Sequence, residues 1–211
     1  MTTETLVAQP AVASTLGIAR RAMAAEWTRL RTTRSTWWSV LVAAALMAFV
    51  GGVVGADAGG EATPIWYPAE FAIIPAQFAF LLVAVLTVTG DYATGAIHSS
   101  LTWVPRRGVL LTARSLVTTA FVAVSSAIVS AAGGLMAWSF LGTDAVVDVG
   151  AITRSLGAIA LLVSSGALIT IGIGLVHRST AGTLTAVFLL MLLLPIVLPN
   201  FGVAWLTAVA E

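Results

Sequence analysis

The sequence predicts an all-α membrane protein, a bundle of five transmembrane helices entered by an N-terminal interfacial helix. Three observations lead there. Mean hydropathy is +1.01. Of 211 residues, 59% are hydrophobic and only 9% charged, where a soluble domain averages about 25% charged. Such a chain has too few polar side chains to cover a soluble sphere, and too much apolar surface to stay disordered. Finally, apolar runs recur at the ~20-residue length that crosses a ~30 Å hydrocarbon core, and the arginines collect in alternate connections between them.

Residues 1–14 are small and polar and read as a mobile tail. They lack the basic start and apolar stretch of a secretory signal. Residues 15–33 form an amphipathic helix, with Leu16, Ala19, Met23, Trp27 and Leu30 recurring at three- and four-residue steps on one face. Arg21, Thr28 and Arg29 oppose that stripe, and Arg20 and Arg31 flank it. A basic face opposite Trp and Leu fits a helix lying in the membrane interface. A soluble helix packed on a partner protein is the plainer alternative.

The spans follow at about 36–56, 71–90, 112–141, 154–176 and 180–198. Ser35 is positioned to cap the first, with Trp37 and Trp38 as interface anchors, and Gly51 and Gly55 permit close helix approach. Pro75 falls in the first turns of the second span, where proline is best tolerated. The connection His177-Arg178-Ser179 is so short that the fourth and fifth spans must be antiparallel neighbours. Pro195 and Pro199 end the fifth.

Arg20, Arg21, Arg29, Arg31 and Arg34 precede span one. Arg106, Arg107 and Arg114 return the chain into span three, and Arg178 joins spans four and five. Only Arg154 borders the other side. This bias predicts a cytoplasmic N-terminus. Arginine in place of lysine throughout, with abundant Ala and Gly, points to a bacterial genome, hence the bacterial inner membrane.

Several activities lose their residues. The chain has no cysteine and only two histidines, His98 and His177, so thiolate chemistry and a His-based metal or acid–base centre are not expected. It has no lysine, so it carries no Walker A loop. The span centres hold almost no ionisable group, which argues against ion-coupled transport or intramembrane proteolysis. The reading is therefore no catalytic site, cofactor or metal in this chain, and no nucleic-acid partner. The string 170–174, Thr-Ile-Gly-Ile-Gly, superficially matches an ion filter. It lies in an unbroken apolar run, so a small-residue seam of Gly166, Thr170 and Gly174 is the better reading. The uncharged polar residues Gln77, Thr87, Thr89, Ser125, Ser126, Ser130, Ser164, Ser165 and Thr170 are expected mainly to bond between helices. Gln77, Ser125 and Ser126 are the candidates to face a translocation path.

The segment 91–108 is the most informative connection. Asp91 is placed to cap a new short helix, with Ala93, Ile97, Leu101 and Val104 on one face and Thr94, His98 and Thr102 on another. Pro105-Arg106-Arg107-Gly108 then turns back toward the membrane. Such a helix suits docking to a soluble partner, or lies on the lipid surface.

Four stretches, in order, resemble the permease subunit of ATP-binding-cassette type-2 exporters. They are residues 25–36, AEWTRLRTTRST; residues 90–97, GDYATGAI; Pro105-Arg106-Arg107 together with Arg114; and residues 172–182, GIGLVHRSTAG. The resemblance implies a transporter half that pairs with a second permease copy and with a separate ATPase subunit, to which ATP and Mg belong. It assigns ATPase coupling to Asp91, Gly95, Ile97, His98, Leu101, Arg106 and Arg107. It makes the helix bearing Met23, Trp27, Leu30 and Arg31 the connecting helix beside them. An amphiphilic or drug-like solute would leave the cytoplasm. The rival readings are a non-transporting assembly or regulatory subunit, and a channel. Members of the family usually have six spans, so a sixth is expected past Glu211, preceded by a short outer helix over 203–210.

Overall fold

The computed structural model describes residues 15–58, 63–93, 107–141 and 145–197. Its helices are α1 (Thr15–Thr32), α2 (Arg34–Asp57), α3 (Tyr67–Ala93), α4 (Arg107–Leu141), α5 (Val149–His177) and α6 (Thr180–Phe188). A π-helical turn, Leu189–Leu193, joins α6 to α7 (Leu194–Val197). Five stretches are long and apolar enough to cross a membrane: α2, α3, α4, α5 and the run 180–197. The expected outer helix over 203–210 and nearly all of the expected coupling segment lie outside the described residues.

α3 forms the centre. Ala72, Ala76, Phe80, Ala84 and Val88 repeat every four residues and are fully buried. α2, α4 and α5 all pack on this helix. Between helices in lipid there is little hydrophobic drive, so contact area and close approach must hold them. The small residues supply it. α2 turns Ala43, Gly51 and Gly55 inward, and Gly51 meets Pro68 and Ala72 of α3. On α5, Gly166 receives Leu81 and Gly174 receives Val88. Residues 170–174 lie inside unbroken α5, so the filter-like string is a packing seam.

Three boundaries differ from expectation, each for a physical reason. α2 begins at Arg34 with Thr33 in the cap position, so Ser35 is not the cap. The Thr33 hydroxyl instead donates to the Arg29 carbonyl at 2.7 Å, and the Trp37 indole donates to the Arg31 carbonyl at 2.9 Å, which fixes the corner between α1 and α2. α3 starts at Tyr67, so Pro75 sits in the helix interior. Pro195 lies within α7 rather than ending the helix. Without an N–H, and with its ring crowding the carbonyl four residues back, it opens the preceding turn into the π form.

At one end a two-residue parallel bridge, β1 (Thr63–Pro64) with β2 (Ala145–Val146), joins two connections. Beside it, buried Trp66 donates its indole N–H to the Ile152 carbonyl at 3.0 Å. Its ring fills the space over Gly134, where any Cβ would overlap it. At the other end the turn 178–179 meets α3. Arg178, in the left-handed region at φ 52°, holds its guanidinium 5.9 Å from the Tyr92 ring, and the Thr89 and Thr180 hydroxyls are 2.9 Å apart.

Candidate functional site, a buried charge cluster

The second end carries a four-residue charge cluster inside otherwise apolar packing. α1 brings Glu26 and Arg29, the last turn of α3 brings Asp91, and α4 brings Arg114 two turns from its start. Glu26, Asp91 and Arg114 are each under 9% exposed as side chains, and Arg29 is about one third exposed.

Arg114 donates to Glu26 Oε1 from Nε at 3.0 Å and from Nη2 at 2.8 Å. The same Nη2 lies 2.7 Å from Asp91 Oδ2. Arg29 reaches Asp91 Oδ1 at 2.8 Å from Nη2 and Oδ2 at 3.3 Å from Nη1. It also donates to the Thr87 carbonyl at 3.2 Å, and its Nη1 is 3.6 Å from Glu26 Oε2. The four charges form a closed ring of zero net charge. Glu26 Oε2 is the one carboxylate oxygen in it without a hydrogen bond.

This pairing is what permits the burial, since isolated ions are very costly away from water. Asp91 has a further debt, because a carboxylate in the last turn of a helix opposes the macrodipole. Two guanidiniums offset it. The same need sets which face of α1 meets the bundle. Its inward face is Ala22, Glu26 and Leu30, and a stripe centred on the apolar side chains would have turned Glu26 away from Arg114. Leu16 is 82% exposed, Met23 half-buried, Trp27 half-exposed and Arg31 exposed. Arg29, expected on the solvated face, turns inward to Asp91.

Asp91 likewise does not cap a new helix; α3 continues through it to Ala93. Its carboxylate is committed to the two arginines. Gly95, Ile97, His98, Leu101 and Arg106 lie outside the described residues, as does the side chain of Arg107, the first residue of α4.

The polar residues of the spans mostly bond to their own helices. Gln77 is buried and donates to the Ile74 carbonyl at 3.0 Å. Ser125 and Ser126 donate to Val122 and Ala123. Ser126 is fully buried, whereas Ser125 lines an apolar pocket between α1, α2 and α4. Of the nine uncharged polar residues singled out above, Thr89 alone makes the expected interhelical bond, to Thr180. A carbonyl of the same helix is in reach of Ser or Thr, and it wins at six of these positions; the Ser130 and Thr170 hydroxyls are buried without a hydrogen-bond partner among the described residues.

Two signals in the sequence point to the cluster. Glu26 is the single acid of α1, and Arg114 is the one charged residue between Gly108 and Leu141 of α4. A lone acid and a lone embedded base are each costly, so each implies a partner.

Together the helices and the cluster define a helical membrane protein whose segments rich in arginine converge at one end. Comparison with family models, with curated proteins and with solved structures finds no match for the chain.

Proposed function

We propose that the chain is the permease subunit of an ATP-binding-cassette type-2 exporter, set in a bacterial inner membrane with the arginine-rich end in the cytoplasm. It works as a pair with a second permease copy and is driven by a separate ATPase subunit that binds ATP and Mg. The cargo class is an amphiphilic or drug-like solute.

One observation carries the reading. The segment 91–108, which the resemblance assigns to ATPase docking, runs from the last turn of α3 to the start of α4, and the cluster joins both of those helix ends to α1. Asp91 is the first residue of the segment and Arg114 stands six after its last. Both are bonded to side chains of the entry helix. A displacement imposed on the segment therefore moves the ends of α1, α3 and α4 together, as power delivered from outside the membrane requires. The chain's own role is to transmit and to bind cargo.

The test is purification of the tagged chain from its native membrane. An ATP-binding-cassette subunit in stable complex with it, with ATP-dependent solute movement in vesicles, is the expected result. Current through single molecules without ATP, or a nucleotide-free complex that moves no solute, contradicts the proposal.

A further inference from the structure

Between α1, α2 and α4 a pocket of about 610 Å³ opens on the side of the bundle, within the range of about 300–1,000 Å³ of sites that take small apolar ligands. Trp27, Trp37, Val40, Phe121 and Ile128 line it, and Ser125 is the one polar side chain in its wall. The aromatic part is ordered. Trp27 and Trp37 both meet the Phe121 ring edge-on, with centroids 6.2 and 6.3 Å away. Along α4 the lining runs from Val117 to Ile128 and Val129, about 18 Å of helix. That is close to the depth of one leaflet, half of a ~30 Å core.

The charge beside the pocket is of one sign. Arg20, Ala24, Trp27 and Arg31 are spaced to share one face of α1. Ala24 and Trp27 line the pocket, and the two arginines, both exposed, stand one at either side of them. The Arg31 guanidinium lies 5.8 Å from the Trp27 ring. Glu26, the only acid of α1, is buried and occupied by Arg114. Among the described residues, no carboxylate lies within ion-pair distance of Arg20 or Arg31.

We infer that this pocket is a binding site for an anionic phospholipid. An acyl chain lies against Trp27, Trp37 and Phe121, the headgroup phosphate is held by Arg31 beside the Trp27 ring, and Arg20, about 16 Å further along the helix, adds positive field. The apolar wall alone would accept any lipid chain. The unopposed arginine pair on the same helix face selects a negatively charged one. The inference needs a membrane-embedded chain and is independent of the transport proposal.

The test uses the full chain in detergent, titrated with phosphatidylglycerol or phosphatidylcholine brominated on the acyl chain, with tryptophan fluorescence as readout. Bromine quenches only tryptophans that touch the chain. Phosphatidylglycerol should quench at a concentration at least five-fold lower than phosphatidylcholine. The double substitution Arg20→Gln with Arg31→Gln should abolish that preference, and Trp27→Phe with Trp37→Phe should remove the high-affinity part of the quenching. Ala120→Phe, at an exposed lining position, should block it with the tryptophans kept. Equal quenching by both lipids, or a preference unchanged by the arginine substitutions or by Ala120→Phe, overturns the inference.

Discussion

Arg114 and Glu26, 88 residues apart in sequence, meet through two hydrogen bonds of 3.0 and 2.8 Å in a place where neither is more than 7% exposed. That single pair ties the entry helix to the third span. With Asp91 it also ties in the second, so one charge cluster links the three helices at this side.

Loss of both partners should therefore cost less than the two single losses added together. Arg114→Gln leaves two buried carboxylates with only Arg29, a loss of about 3–5 kcal/mol. Glu26→Gln costs less, because Arg114 keeps Asp91. The double variant should recover about 1–3 kcal/mol relative to the sum of the two. Thermal unfolding of the four proteins in one detergent measures this; strictly additive effects would show that the pair is not coupled.

The opposite end offers a steric test. A side chain at Gly134 would overlap the Trp66 ring. Gly134→Ala should destabilise by about 1–3 kcal/mol, as overpacking does. Trp66→Leu in the same chain should remove most of that penalty while costing the indole bond to Ile152. An unfolding midpoint for Gly134→Ala equal to that of the parent would contradict the packing described.

Orientation is measurable because the chain has no cysteine. Val147 is exposed at the β-bridge end and Ser179 is exposed at the cluster end. Val147→Cys should react with a membrane-impermeant thiol reagent on intact cells. Ser179→Cys should react only after lysis. The reverse pattern would invert the arginine-based orientation.

The spans were legible in the sequence because their signal, long apolar runs with charge only at the ends, depends on lipid alone. The face of α1 that meets the bundle was not. Periodicity places Leu16 and Trp27 on the face that lies in the lipid interface, and both are exposed, but it gives no sign that Glu26 must turn to Arg114. Ion pairing sets the inward face. Asp91 is a second case. Its residue type and position suit a helix cap, and only the partners from α1 and α4 make it tolerable inside the last turn of α3. The π turn before Pro195 was half legible: the proline announces a break, but whether the helix stops or loosens depends on packing beyond it.

The central claim is that an external ATPase drives this bundle through the segment 91–108 and the cluster at its base. The most direct measurement compares ATP hydrolysis and solute transport in vesicles containing the chain and its ATPase subunit, for the parent and for Leu101→Asp and Arg114→Gln. Leu101→Asp puts a charge on the face expected to dock, and should weaken the complex or leave hydrolysis running without transport. Arg114→Gln should keep the complex but cut transport at least ten-fold per ATP consumed. Unchanged transport per ATP in both variants would contradict the account.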